Sequence, residues 1–259
     1  MLQAHDLTLS YGGRNIVEGL SLDLPERGLS IIIGPNGCGK STVLKALGRL
    51  LKPQLGKITL GGRDISGMGT KHVAKHIGVL QQPPYAPDGV SVTELVSRGR
   101  YPHQHLLSQW SKDDEAIVAR SLEEVGMHTH AEHLVSELSG GQRQRAWIAM
   151  ALAQETDILL LDEPTTFLDV AHQISVLDLC SDLHQRGRTL AIVLHDLNMA
   201  ARYATHIIAM RDGTIVDQGK PEDILTKALL KEVFDLDALI LKDPNNGRPL
   251  IVPTDRRNS

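Results

Sequence analysis

The sequence predicts an α/β fold: a parallel-sheet core joined to an antiparallel β subdomain and an inserted α-helical subdomain. Three observations predict it. Short apolar runs alternate with stretches whose apolar residues recur at helical spacing, the pattern of a parallel sheet covered by helices. Residues 87–153 read as helices only. Late in the chain, Asp212-Gly213 lies between Ile207-Ile208 and Ile215-Val216, a hairpin signal that adds antiparallel strands.

In chain order, Leu29 to Ile33 is an apolar run ending at Gly34, which suits a buried strand. Val43, Leu44, Leu47, Leu50 and Leu51 follow at helical spacing, and Pro53 is expected to end that helix. Lys57 to Leu60 alternates like a half-exposed strand before Gly61-Gly62 turns the chain. Val92 to Ser97 and Asp113 to Val125 are the helix candidates of the inserted part. Ile158 to Leu161 is a second buried strand and runs straight into Asp162-Glu163. Ile174, Leu177, Cys180 and Leu183 share one helical face closed by Gly187, and Thr189 to Leu194 is a β-rich run ending at His195. After Pro244 the chain is rich in Asn, Gly and Pro, so a loosely held tail is expected there. One domain results, with the core and antiparallel part over about residues 1–86 and 154–240, the helical part over 87–153 and the tail over 241–259.

At 259 residues, 41% hydrophobic and 22% charged, the chain can bury a substantial core. Its net charge of -4 gives no basic footprint for nucleic acid. With two cysteines, Cys38 and Cys180, a disulfide framework is not expected and a reducing compartment is. No apolar run approaches the ~18 residues that span a bilayer, so any membrane role is expected to come from a partner. Of the 12 histidines, His128, His130 and His133 bunch together and His103 and His105 pair. No cysteine or carboxylate completes a ligand set beside them, so a metal role is set aside.

Gly34-Pro35-Asn36-Gly37-Cys38-Gly39-Lys40-Ser41-Thr42 is a full phosphate-binding loop, lying between strand and helix as that motif requires. Its backbone N–H groups converge on phosphate, Lys40 brings positive charge to the outer phosphates, and the Ser41 hydroxyl is a magnesium ligand. The anion sits at a helix N-terminus. Asp162, at the end of an apolar strand, is placed to hold that metal through water, and Glu163 to accept a proton from an attacking water. Cys38 precedes a helix N-terminus, a setting expected to lower its thiol pKa.

Leu138-Ser139-Gly140-Gly141-Gln142 is not needed by a phosphate-binding fold alone. With it, the whole chain resembles the ATPase subunit of an ABC transporter, a P-loop NTPase with a RecA-like core. Tyr11 matches the aromatic that stacks on adenine, with Ile16 nearby, and Gln82 the loop glutamine linking the metal site to the membrane partner. Ser139 to Gln142 matches the signature motif, Thr166-Phe167-Leu168-Asp169 the loop that crosses the dimer, and His195 the switch histidine. The resemblance implies ATP bound by Asn36, Gly37, Cys38, Gly39, Lys40, Ser41 and Thr42, with Mg2+ held by Ser41, Gln82 and Asp162. Glu163 would be the general base and His195 a γ-phosphate contact, while Ser139, Gly140, Gly141, Gln142 and Asp169 act across a head-to-tail dimer.

It also implies two transmembrane permease subunits, a periplasmic substrate-binding protein and a place on the cytoplasmic face of the bacterial inner membrane. Glu94-Leu95-Val96 followed by Arg98-Gly99-Arg100-Tyr101-Pro102-His103-Gln104 is similar to the segment in ferric siderophore importers, where it offers interface residue types. Arg143 to Met150 and Leu194 to Asn198 point the same way. Haem and cobalamin importers share parts of this pattern. Soluble ABC ATPases acting on DNA repair complexes or ribosomes usually carry a coiled-coil insertion or a second cassette, which this sequence does not show. A kinase would use the Lys40 loop but has no need of Ser139 to Gln142 or His195.

Overall fold

Strand β1 (Leu2–Tyr11) turns Leu2, Ala4, Leu7 and Leu9 inward, the two-residue period of a strand covered on one face. It pairs antiparallel with β2 (Arg14–Leu24) through register shifts past Ala4, Leu7 and Leu9. The computed structural model describes residues 1–81, 88–104 and 110–254. These form two compact units, one of Met1–Gly67 with the chain from Thr189 on, the other of Met68–Arg188.

In the first unit, β3 (Leu29–Ile33) is buried at every position, as a strand covered on both faces must be. The glycine-rich loop then leads into α1 (Lys40–Leu47). This helix ends well before Pro53. Gly48 caps it, Arg49 follows at φ 60, and Leu50 is 51% exposed instead of joining the helix's apolar face. β4 (Leu55–Leu60) and β5 (Arg63–Asp64) complete a four-stranded sheet in the order β2-β1-β4-β5.

The second unit holds α2 (Thr70–Ala74), β6 (Ile77–Leu80), α3 (Val92–Ser97), α4 (Lys112–Glu124), α5 (Gly140–Ala153), β7 (Ile158–Asp162) and α6 (Val170–Gln185). β6 and β7 run parallel, Ile77 opposite Ile158. Capping boxes start α3 at Ser91-Glu94 and α4 at Ser111-Asp114, each satisfying two backbone donors that the helix leaves without partners. Arg100, expected among interface residues, is instead buried. Its Nε donates to Asp114 Oδ1 at 2.8 Å, and its Nη1 to Ala153 O and Glu155 Oε2, both at 2.8 Å. Removing one partner of such a buried pair typically costs about 3–5 kcal/mol, so Arg100 ties together the start of α4 and the end of α5. Tyr101 beside it is 67% exposed, with Lys71 Nζ 5.0 Å from its ring centre.

Back in the first unit come β8 (Thr189–Val193), α7 (Leu197–Tyr203), β9 (His206–Arg211), β10 (Thr214–Gly219), α8 (Pro221–Ile224) and α9 (Lys227–Phe234). β3 lies parallel between β8 and β9, with Ile31 opposite both Ile192 and Ile207. β10 folds back antiparallel on β9 across the Asp212-Gly213 turn. The expected loose tail is ordered through Pro253. β11 (Ala238–Lys242) and β12 (Pro249–Pro253) pair antiparallel, and Asn198 Oδ1 accepts from Ile251 N at 2.8 Å. Among the described residues, no helix is long and apolar enough to cross a membrane.

Candidate functional site

The loop between β3 and α1 is shaped by glycine. Gly34 has φ 155, and a Cβ there would stand 2.2 Å from Met210 O and 2.8 Å from Cys38 Sγ, so no side chain fits against β9. Lys40 is 4% exposed, and its Nζ donates to Gly34 O at 2.8 Å and Pro35 O at 2.9 Å. The loop's own carbonyls thus hold the ammonium. Lys40, Ser41 and Thr42 form the first turn of α1, whose N–H groups the helix itself does not satisfy. Positive charge and unsatisfied donors converge there, the arrangement that captures phosphate.

Cys38 departs from expectation. It is 5% exposed, and burial pushes its thiol up. Lys40 and backbone hydrogen bonds pull the other way without overcoming the loss of water.

β8 carries His195 to the same place. His195, Gly34, Pro35 and Asn36 line a cavity of about 610 Å³ together with Arg211, Asp212 and Phe234. On another side, Ile16 approaches the loop: a Cβ on Gly39 would lie 3.6 Å from Ile16 Cγ2. Tyr11 closes β1 opposite Arg14 and is 48% exposed, an open aromatic face.

In the second unit β7 is buried throughout and ends on Asp162, itself 5% exposed. Glu163 follows with φ 50, and its Oε2 accepts from Thr166 Oγ1 at 3.1 Å. A non-glycine residue held left-handed is a strained arrangement of the kind found at functional sites. Phe167 shares it, at φ 64, and is 92% exposed. Asp169 then caps α6, accepting from His172 N at 2.9 Å and pairing with His172 Nδ1 at 2.8 Å. Those bonds hold the Asp169 carboxyl below the usual carboxylate range.

Ser139 is the N-cap of α5, which starts at Gly140, two residues before Gln142. Ser139 Oγ accepts from Gln142 N at 3.3 Å, and Gln142 Oε1 accepts from Ser139 N at 3.0 Å. Gly141 is buried against α6: a Cβ there would fall 2.2 Å from His172 Cδ2. His172 therefore touches both Asp169 and Gly141, a link sequence reasoning missed, although an Asp with a His three residues on is a legible capping spacing. His130, whose Nε2 lies 3.0 Å from Gln142 Nε2, stood out in the sequence only as one of a group of histidines, with nothing to connect it to Gln142. Gln82 lies outside the described residues.

Comparison with known proteins bears on this arrangement. A family model described as ABC transporter matches residues 17–166. The chain is 51% identical over 256 residues to the achromobactin transport ATP-binding protein CbrD of Dickeya dadantii, covering 98% of this chain and 95% of that one. It is 50% identical over 256 residues to the ferric enterobactin transport ATP-binding protein FepC of Escherichia coli, with 98% and 94% covered. Among solved structures, an inward-facing putative metal-chelate type ABC transporter superposes with TM-score 0.86 at 28% identity, covering 99% of this chain and 98% of that one. A dimeric bacterial ABC transporter cassette gives 0.74 at 28% identity, over 85% and 98%.

Proposed function

The chain belongs to the ABC transporter family, and we propose that its ATP hydrolysis energises import of a ferric siderophore across the bacterial inner membrane. The observation that carries this is the loop at α1, with buried Lys40 held over it by Gly34 O and Pro35 O, in a chain half identical to siderophore transport ATP-binding proteins.

The chain's residues divide the work. The Asn36 to Thr42 amides and Lys40 bind the β- and γ-phosphates, and Tyr11 and Ile16 flank the adenine. Glu163 takes a proton from the water that attacks the γ-phosphorus as the bond to the ADP oxygen breaks, and His195 contacts the γ-phosphate. Ser41 and Asp162 are hard oxygen donors of the kind magnesium takes, and with Gln82 they would hold an ion that neutralises phosphate charge. Ser139, Gly140, Gly141 and Gln142 meet the nucleotide of a second copy, with Asp169 shaping that contact. The related cassette is dimeric, which supports a head-to-tail pair. Two permease subunits and, through them, a periplasmic binding protein complete the importer, and the chain sits peripherally on the cytoplasmic face.

Growth of a deletion strain complemented with wild type or Glu163→Gln tests this, under iron limitation with ferric siderophores or haem as the iron source, and separately in a medium where growth depends on cobalamin uptake. Rescue by wild type alone, on one siderophore, is expected. Rescue confined to haem or cobalamin moves the cargo, and equal rescue by Glu163→Gln removes the ATPase requirement.

A further inference from the structure

We propose that His130 is a positioning residue for the signature segment and holds the Gln142 amide as the neutral Nδ1–H tautomer. Donor and acceptor chemistry requires this step by step. Ser139 N is a backbone donor, so the Gln142 atom it meets at 3.0 Å must be the carbonyl Oε1. The other end of the amide, the donor-only NH2, then faces His130 Nε2 at 3.0 Å. Two donors cannot share a hydrogen bond, so Nε2 must be the unprotonated nitrogen. The ring proton therefore sits on Nδ1, which has Thr129 Oγ1 as its acceptor at 3.0 Å. His133 packs against the same ring in a T-shaped arrangement, with centroids 5.1 Å apart and planes at 76°.

The consequence reaches α5. Putting a proton on Nε2, or removing the ring, takes away the acceptor that fixes the Gln142 amide. Ser139 N alone then holds the amide, and where Nε2 carries a proton it opposes the Gln142 NH2, so an amide that flips to relieve the two donors presents NH2 to Ser139 N and breaks the capping box. His130 thus sets the orientation of Gln142 from the side opposite Ser139. Its effect on turnover rests on the reading above, in which Ser139 to Gln142 meets the partner copy's nucleotide; the tautomer does not.

The test separates the two. Long-range proton–nitrogen NMR of [15N]histidine-labelled full-length chain at pH 8, with His130 assigned by the signals lost in His130→Gln, reads the tautomer directly. The expected result is a protonated Nδ1 with an unprotonated Nε2, and in Gln142→Glu, where an acceptor faces the ring, a proton on Nε2. An Nε2–H tautomer in the wild-type chain overturns the proposal.

ATPase turnover is then compared for His130→Leu, which has no acceptor, and His130→Gln, whose Oε1 reaches the Nε2 position. Loss of one hydrogen bond predicts about a threefold to tenfold fall in kcat for His130→Leu. ATP binding to the chain's own loop should be unchanged, and His130→Gln should stay near wild type. Equal kcat in all three overturns the positioning role while leaving the ATPase intact. A wild-type chain without ATPase activity overturns the functional reading, and the NMR result still decides the tautomer.

Discussion

Cys38 lies between Gly37 and Gly39 with the Lys40 ammonium close by, yet its thiol is raised because the side chain is out of water. The sequence placed the thiol correctly and misjudged its chemistry, because spacing along a chain carries charge but not burial. A raised pKa leaves little thiolate at neutral pH, so reaction with an uncharged thiol reagent should be slow at pH 7. The rate should climb about tenfold per pH unit for as long as the thiol is the major species. Stopped-flow labelling of the native chain from pH 6.5 to 10 checks this, and a plateau below pH 8.5 would contradict it. Cys180, fully buried and pushed up to about 12, should stay silent. Bound ATP should slow the Cys38 reaction further. Arg100 was opaque for a similar reason: its partners Asp114 and Glu155 stand 14 and 55 positions away, and nothing local distinguishes it from a surface arginine.

Among the elements, those read from the sequence are the ones with a dense local signal. β3, β7 and β8 are five-residue strands buried at every position, each with four apolar residues and one buried polar one, Ser30, Asp162 and Thr189 in turn. β1 and β2 went unread because the register between them slips three times, which breaks the two-residue alternation a strand would show. β11 and β12 are joined by a polar loop in which Gly247 N donates to Asp243 O at 2.8 Å, and only the Asn- and Gly-rich composition was visible. The start of α5 shows what is gained from the fold. Its signature glycine was read as part of an anion site, whereas the structure adds a steric reason for it: the His172 ring leaves no space for a Cβ on Gly141. Gly141→Ala should therefore lower ATPase turnover at least tenfold with the fold retained by circular dichroism. His172 is 46% exposed, so shortening it opens space without leaving a core cavity. The Gly141→Ala, His172→Ala double variant should recover a substantial part of the loss. A double variant no better than Gly141→Ala alone would mean the added methyl obstructs the nucleotide and not the ring.

At the scale of the whole molecule the question is what two copies do around ATP. Each copy offers a phosphate loop at α1 and a capped helix start at α5, and each exposes Phe167 almost completely at the loop before α6. An aromatic held open by a left-handed backbone suits burial by another chain better than contact with water. Shifting an open–closed two-state balance from 1:99 to 99:1 requires about 5.5 kcal/mol. Two γ-phosphates, each receiving charge-assisted hydrogen bonds worth roughly 1.5–3 kcal/mol apiece, can supply it. In the proposed head-to-tail pair hydrolysis removes that bridge, so blocking hydrolysis while sparing binding should trap the closed pair. Glu163→Gln keeps the size of the side chain and loses the proposed base. In saturating ATP and Mg2+ its mass by light scattering should double, and exchange into ADP should return it to monomer. Adding Phe167→Asp to Glu163→Gln places a charge where an apolar anchor was, a loss that commonly exceeds about 1 kcal/mol at an interface. The chain concentration at half-dimerisation should then rise about tenfold. A Glu163→Gln chain that stays monomeric in ATP would rule out the bridged pair. An unchanged midpoint with Phe167→Asp would leave the pair standing and put Phe167 outside its contact.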